Sequence, residues 1–134
     1  MSSPDKNHRI DYIEFAARNI AAAKKFYTAA FNWQFTDYGP DYTSFHDGRL
    51  AGGFFTAAAA PAVSPSNPPP TGNPMVVIFG ADLEKTEAAV KKAGGKITKP
   101  AFEFPGGRRF HFTDPNGLEL AVWSDKRADG SKIG

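Results

Sequence analysis

Three side chains in this sequence are singled out as candidates for acid–base chemistry or metal binding: Glu14 in RIDYIEF, and His111 and Glu119 in HFTDPNGLELAVW. A carboxyl group withdrawn from water favours its protonated form and can serve as a general acid or base. Histidine serves as acid, base or metal ligand. The plainer alternatives are a solvated carboxylate or one paired with arginine, and a histidine with a merely polar role. His8 and His46 lie beside a strand start and a turn and are expected to be exposed. Arg49, Arg108 and Arg109 are expected at the solvated surface, with carboxylate or phosphate binding as the alternative. The chain has no cysteine, so disulfides, thiolate metal sites and a cysteine nucleophile are excluded. No Ser-His-Asp spacing is present. Neither Gly52-Gly53 nor Gly106-Gly107 opens a helix after a strand, so neither is a phosphate-binding loop.

The rest of the composition narrows the class. The 134 residues suit one domain, or two small modules sharing a core. Twelve Phe, four Tyr and two Trp supply ample aromatic surface to bury. A net charge of +2 with no basic run gives no reason to expect a nucleic acid or an acidic membrane as partner. No apolar run approaches the roughly 20 residues that span a bilayer, and MSSPDKNHRI has no hydrophobic signal core. A cytoplasmic location is the expectation.

The elements that must position these residues come in two similar sets. RIDYIEF reads as a strand, and Asn19 caps a helix from Ile20 to about Ala30 with Ile20, Ala23, Phe26, Tyr27 and Ala30 as its buried stripe. WQFTDY and YTSFH are short strands, Asp47-Gly48 reads as a two-residue hairpin turn, and RLAGGFFT returns as a fourth strand. PMVVIFG then begins the second set. Asp82 caps a helix from Leu83 to Ala93 that stops at Gly94-Gly95. KITKPAFEF, RRFHFT and LELAVWS follow as strands. Residues 61–74, rich in Pro, Ser, Asn and Gly, are expected to form an exposed linker between a first module (9–60) and a second (75–124). Asn19 corresponds to Asp82, QFT to KIT, and the DGR turn to NGL, the pattern of an internal repeat.

The doubled strand-helix-three-strand order resembles the vicinal oxygen chelate superfamily of glyoxalase I, bleomycin-resistance proteins and extradiol dioxygenases. RNIAAAKKFYTAAFNWQFTDYGPDYTSFHDGRLAGGF is similar to its first module; ADLEKTEAAVKKAGGKI and FTDPNGLELAVWS are similar to its second. The resemblance implies an α+β fold of two βαβββ modules, curved mixed sheets around a cleft with one helix outside each. It also implies frequent homodimers, with Phe54, Phe102 and Trp123 as candidate interface residues. One scaffold hosts many chemistries, so the fold leaves the reaction open.

Alternation along the strands places side chains on two faces. Ile13 and Phe15 pack under the helix, so Ile10, Tyr12 and Glu14 face the cleft. Leu50, Gly52 and Phe54, then Met75, Val77 and Phe79, are expected to line it, together with Glu119, Ala121 and Trp123. A regular hairpin puts His111 on the helix side with Leu120; a bulge near Pro115 would turn it into the cleft. The superfamily's four metal-ligand positions correspond to Tyr12, Gly52, Met75 and Ala121, which are not a ligand set for zinc, nickel, iron or manganese. Glu14 and Glu119 lie two positions away from such positions on the same faces, and two carboxylates alone would hold only a weak, hydrated magnesium or calcium. No tightly bound metal or other cofactor is therefore expected. Two functions remain: a protein that binds a small, partly apolar organic molecule, or a glyoxalase-type lyase, isomerase or dioxygenase-related enzyme. The enzyme would use Glu14, Glu119 and His111 as acid and base or as shifted metal ligands.

Overall fold

The computed structural model describes residues 7–56 and 74–131. The protein is α+β, in two compact units, Met1–Ala60 and Pro61–Gly134. The first contains β1 (Tyr12–Ala17), α1 (Ile20–Phe31), β2 (Gln34–Asp37), β3 (Tyr42–His46) and β4 (Ala51–Thr56). The second repeats the order with β5 (Val77–Phe79), α2 (Leu83–Lys92), β6 (Lys96–Phe104), β7 (Gly107–Thr113) and β8 (Glu119–Ser124). The expected linker, apart from Pro74, lies outside the described residues.

In the first unit the sheet order is β1-β4-β3-β2. β1 runs parallel to β4 and the other pairs are antiparallel. The sequence IAAAKKFYTAAF contains neither Gly nor Pro, and its alanines favour helix. Asn19 Oδ1 accepts from the Ala22 backbone N–H at 2.9 Å, satisfying one of the amides that a helix start leaves open. Asn32 closes the helix in the left-handed conformation, φ 60°. Ala23, Phe26 and Tyr27 are buried, while Ile20 and Ala30 at the stripe's edges are half-buried. The core is a stack of rings. Tyr27 lies 4.6 Å from Trp33 and 5.4 Å from Phe54, and Trp33 lies 4.6 Å from Phe45.

Those contacts correct the expected face of β4. Phe54 is 1% exposed and packs on the helix side, as does Gly52, whose place leaves room for the Phe45 ring. Leu50 is half-buried in the turn and precedes the strand. The cause is the pairing with β3 through the turn. The turn's central residues are Gly48 and Arg49, with Asp47 N–H donating to Leu50 O at 3.1 Å and Asp47 Oδ1 accepting from Arg49 and Leu50 N–H. That is one residue later than an Asp47-Gly48 turn but of the same two-residue length, and either turn sets even-numbered residues of β3 beside odd-numbered residues of β4, so Gly52 and Phe54 lie with Phe45 and Thr43 on the helix side. The open face of β4 therefore presents Ala51, Gly53 and Phe55, beside Tyr12 and Glu14 of β1.

In the second unit the order is β5-β8-β7-β6, with β5 parallel to β8. Asp82 Oδ1 caps α2 through Lys85 N–H at 3.1 Å, and Glu84 in the first turn with Lys91 and Lys92 in the last suits the helix dipole. Leu83 and Val90 pack toward the sheet, whose helix-side residues Phe110, Phe112, Leu120 and Val122 are fully buried. Arg108 is on this side as well, contrary to the surface role expected of it. It is 8% exposed and forms a two-pronged bond to Glu84, at 2.6 and 3.1 Å. Of the residues expected to be buried, Phe26, Leu83, Val90 and Leu120 are so, and Ile13 is half-buried. The face assignment of β4 has a simple consequence. Phe54→Ala should lower stability by about 3–5 kcal/mol, as for a buried ring, whereas Phe55→Ala should cost under about 1 kcal/mol. Urea unfolding of the two variants checks this, and equal losses would contradict it.

Candidate functional site

The face of the second sheet turned away from α2 gathers the polar groups. The hairpin between β7 and β8 governs it. Asp114 N–H donates to Leu118 O at 2.9 Å, so three residues, Pro115 to Gly117, form the loop, and Gly117 takes φ 87°. The pairing is then His111 with Ala121 and Thr113 with Glu119. His111 thus shares the open face with Glu119 and not the helix side with Leu120; the three-residue loop turns it there, without a bulge inside the strand. Val77 and Phe79 pair beside Ala121 and Trp123 on the same face, and Met75 precedes them, half-buried.

His111 and Glu119 form the centre of the cluster. Their side chains are each only 8% exposed, and His111 Nδ1 stands 3.7 Å from Glu119 Oε2. Thr98 Oγ1 donates to the same carboxylate oxygen at 2.9 Å, reaching it through the irregular register of β6 around Thr98 and Pro100. Arg109 Nε donates to His111 Nε2 at 3.1 Å. Nε2 therefore carries the lone pair and the ring proton belongs on Nδ1. Nδ1 is buried with no hydrogen-bond partner among the described residues. Burial first, and then the positive charge of Arg109, hold the imidazole below its usual range, while Glu119 pulls the other way and Lys99 adds to the lowering. His111 is consequently neutral at physiological pH.

Apolar rings flank these groups. Phe102 lies 5.9 Å from His111, with Lys99 Nζ 4.5 Å from the Phe102 ring centre. Phe79 and Phe104 lie 5.2 and 6.3 Å from Trp123.

Glu14 belongs to a different cluster, on the open face of the first sheet. Tyr42 Oη donates to Glu14 Oε2 at 2.7 Å, and Tyr12 Oη lies 2.7 Å from Tyr42 Oη. Burial, with the bonds to Tyr12 and Glu14, pushes the Tyr42 phenol up, so it stays protonated. Gly53 allows this arrangement, because a Cβ there would collide with the Tyr42 hydroxyl. The neighbouring surface is a concavity of about 470 Å³ lined by Tyr12, Gln34, Thr36, Tyr38, Ser44 and His46, among others. His46 and His8 are exposed, as expected.

The sequence reading did not single out Thr98 or Tyr42 and assigned Arg109 to the surface. Arg109 was recoverable, since it alternates with His111 along one strand. Thr98 depends on the irregular register of β6, which Pro100 alone does not specify.

The donors do not fit a resident metal of the superfamily's kind. Tyr12 is held by Tyr42, Gly52 faces the helix side, and the β4 residues beside Tyr12 on the open face, Ala51 and Gly53, carry no donor. Met75 and Ala121 add one thioether. No group of three His, Cys, Asp or Glu converges among the described residues. The Arg109 guanidinium against His111 further disfavours a cation there.

The neutral His111 makes stability depend on pH. Its folded value is below 6.5, so as pH falls through about 6.5 the unfolded chain takes up a proton that the folded chain refuses. Stability contributed by this residue falls with pH across that window and levels off below the folded value. His111→Gln should lack this component, so the stability difference between wild type and variant should shrink from about pH 7 to about pH 5. Urea midpoints measured across that range test it; a constant difference would contradict it.

Comparison with known proteins agrees with this architecture. CFP32 of Mycobacterium bovis, which carries a provisional glyoxylase assignment, is 28% identical over 127 residues. The match covers 92% of this chain and 48% of that protein, so the chain spans about half the length of the curated relatives it matches. A glyoxalase-related enzyme from Fulvimarina pelagi superposes with a TM-score of 0.71 at 17% identity, covering 95% of this chain and 98% of the other. A mutant of the fosfomycin resistance protein FosX from Listeria monocytogenes, solved with Mn(II) and 1S,2S-dihydroxypropylphosphonic acid, gives 0.69 at 15% identity, covering 87% and 90%. These structural likenesses bear on the fold alone. The family model matches residues 9–122, and the chain belongs to the Glyoxalase/Bleomycin resistance protein/Dioxygenase superfamily.

Proposed function

We propose that the protein binds a small, partly apolar organic molecule on the open faces of its sheets, without the metal that other members of its superfamily use. The observation that carries this reading is the ring-lined face of the second sheet, where Phe79 remains 53% and Val77 40% exposed beside Trp123. Exposed apolar surface next to a few fixed polar groups is the usual make-up of a small-molecule site. The concavity on the first sheet has a volume in the range of such sites, about 300–1,000 Å³. Binding would bury the rings, and the hydroxyls of Tyr12, Tyr42 and Ser44 or the groups around His111 would orient the ligand.

A second reading, an acid–base lyase or isomerase, is favoured by one distance. Glu119 lies 3.7 Å from the protonated Nδ1 of His111, close enough to stabilise an imidazolium formed when Nε2 takes a proton. Nε2 would be free to do so only after Arg109 Nε withdraws. Glu14, in the other unit, is held by Tyr42 and would orient a ligand donor.

A thermal-shift screen of a metabolite library, followed by turnover assays on the hits, separates the two. The binding reading expects hits without turnover, and those hits should be lost in Trp123→Ala. Turnover lost in His111→Gln would favour the enzyme. Metal analysis of protein purified without chelator should find no stoichiometric nickel, zinc, iron or manganese. A full equivalent of metal lost on changing Glu14, His111 or Glu119 to Ala would overturn the metal-free reading.

We also propose a cytoplasmic homodimer. Phe54 is removed from the expected interface by its burial, and Phe102 and Trp123 are half-buried; Tyr12, Tyr38, Phe55 and Phe79 are exposed rings among the described residues. Among the described residues no helix is long and apolar enough to cross a membrane. Light scattering at tens of micromolar, roughly an ordinary dimer affinity range, should give twice the chain mass; a monomer would refute the dimer.

A further inference from the structure

Arg109 stands in a row of rings. Across the open face of the second sheet, register pairs it with Phe102 of β6 on one side and Trp123 of β8 on the other, and Trp123 pairs in turn with Phe79 of β5. Its Nε is committed to His111, which fixes the plane of the guanidinium. Its two terminal nitrogens make no hydrogen bond or ion pair with the described residues, and the side chain is half-buried. A guanidinium whose outer edge offers two parallel N–H donors between aromatic neighbours matches a planar carboxylate carried by an apolar or aromatic body.

We propose that this row is a binding site for small aryl or arylalkyl carboxylic acids, with the carboxylate on the terminal nitrogens of Arg109 and the hydrocarbon part against Trp123 and Phe79. The proposal rests on the small-molecule reading above and names the ligand class. Other charges on this face agree with it. Lys99, from β6, adds a second positive charge near the row. Glu119, from β8, lies at the other end of the His111 ring and already accepts from Thr98. The described part of β5 contributes no charged group. The buried His111 ring, bonded through Nε2 to Arg109, makes a reporter of the imidazole. A carboxylate on Arg109 offsets the positive charge that disfavours the imidazolium, so binding should make His111 easier to protonate.

The test is binding of 3-phenylpropionate and of its uncharged counterpart 3-phenylpropanol to the full chain, followed by NMR of the Trp123 indole and the His111 imidazole. The acid is expected to bind about tenfold or more tightly than the alcohol, as for a charge-assisted pair. It is also expected to raise the pH at which His111 titrates, whereas the alcohol leaves that pH unchanged. R109Q should remove the preference and the shift together, and R109K, which keeps the charge without the flat two-donor edge, should retain only part of the preference. Should R109Q fail to fold, R109K and the His111 titration still decide. Equal affinity for acid and alcohol, or a preference that survives R109Q, would overturn the carboxylate site while leaving the small-molecule reading intact. Failure of both compounds to perturb Trp123 would overturn the carboxylate site too, and the small-molecule reading would then stand or fall on the library screen alone.

Discussion

Strand parity, set by the two hairpin turns, is the constraint on which everything else depends. A β-strand offers alternate side chains to alternate faces, so the length of a turn decides which set meets the helix and which is left for a ligand. In the first unit a Gly48-Arg49 turn sends Phe54 into the aromatic core and puts Gly53 opposite Tyr42. In the second a Pro115-to-Gly117 loop brings Arg109, His111 and Glu119 to one face and leaves Arg108, Phe110 and Phe112 on the other. Both faces of β7 are therefore occupied by arginines with opposite tasks. Arg108 ties the strand to α2 through Glu84, and Arg109 presents itself beside His111.

The two open faces differ in electrostatic character. The first carries a hydrogen-bonded phenol pair ending in the carboxylate of Glu14, suited to donors. The second sets Arg109 and Lys99 near a neutral imidazole, with one carboxylate already engaged by Thr98. A cation entering the second face would meet like charge, and an anion entering the first would meet Glu14. The same fold thus offers complementary preferences, arising from a handful of substitutions on alternating positions and not from a difference in architecture.

Much of this was legible beforehand. Asn19 and Asp82 announced both helices because cap chemistry is local, and the repeat of elements carried the fold. The faces of β1, β5 and β8 followed from alternation, with Phe15 and Leu120 buried and Glu14 and Glu119 on the open sides. The face of β4 did not, because alternation along AGGFF leaves the choice of face open, and only pairing with β3 sets Phe54 beside the buried Thr43 and Gly52 beside the buried Phe45. His111 was ambiguous for a different reason, one residue of loop length deciding its side. Arg108 and Arg109 are adjacent and chemically identical, so their faces follow from the same hairpin parity that places His111, and only the packing of α2 gives Arg108 its partner Glu84.

In each unit the parallel pair joins the first strand to the last, β1 to β4 and β5 to β8, whereas the intervening strands are paired to their sequence neighbours. Hairpins and a helix need only short loops to close, but the parallel pair must bring together the ends of an entire module, which is the slow kind of contact to form. Each module would therefore finish folding at β1 or β5, and would come apart there first. β5 is only three residues long, so hydrogen exchange should be fastest at that edge. Phe79 and Val77 stand on it, and a ligand seated against them would act as a clasp, closing a folding unit as well as filling a site.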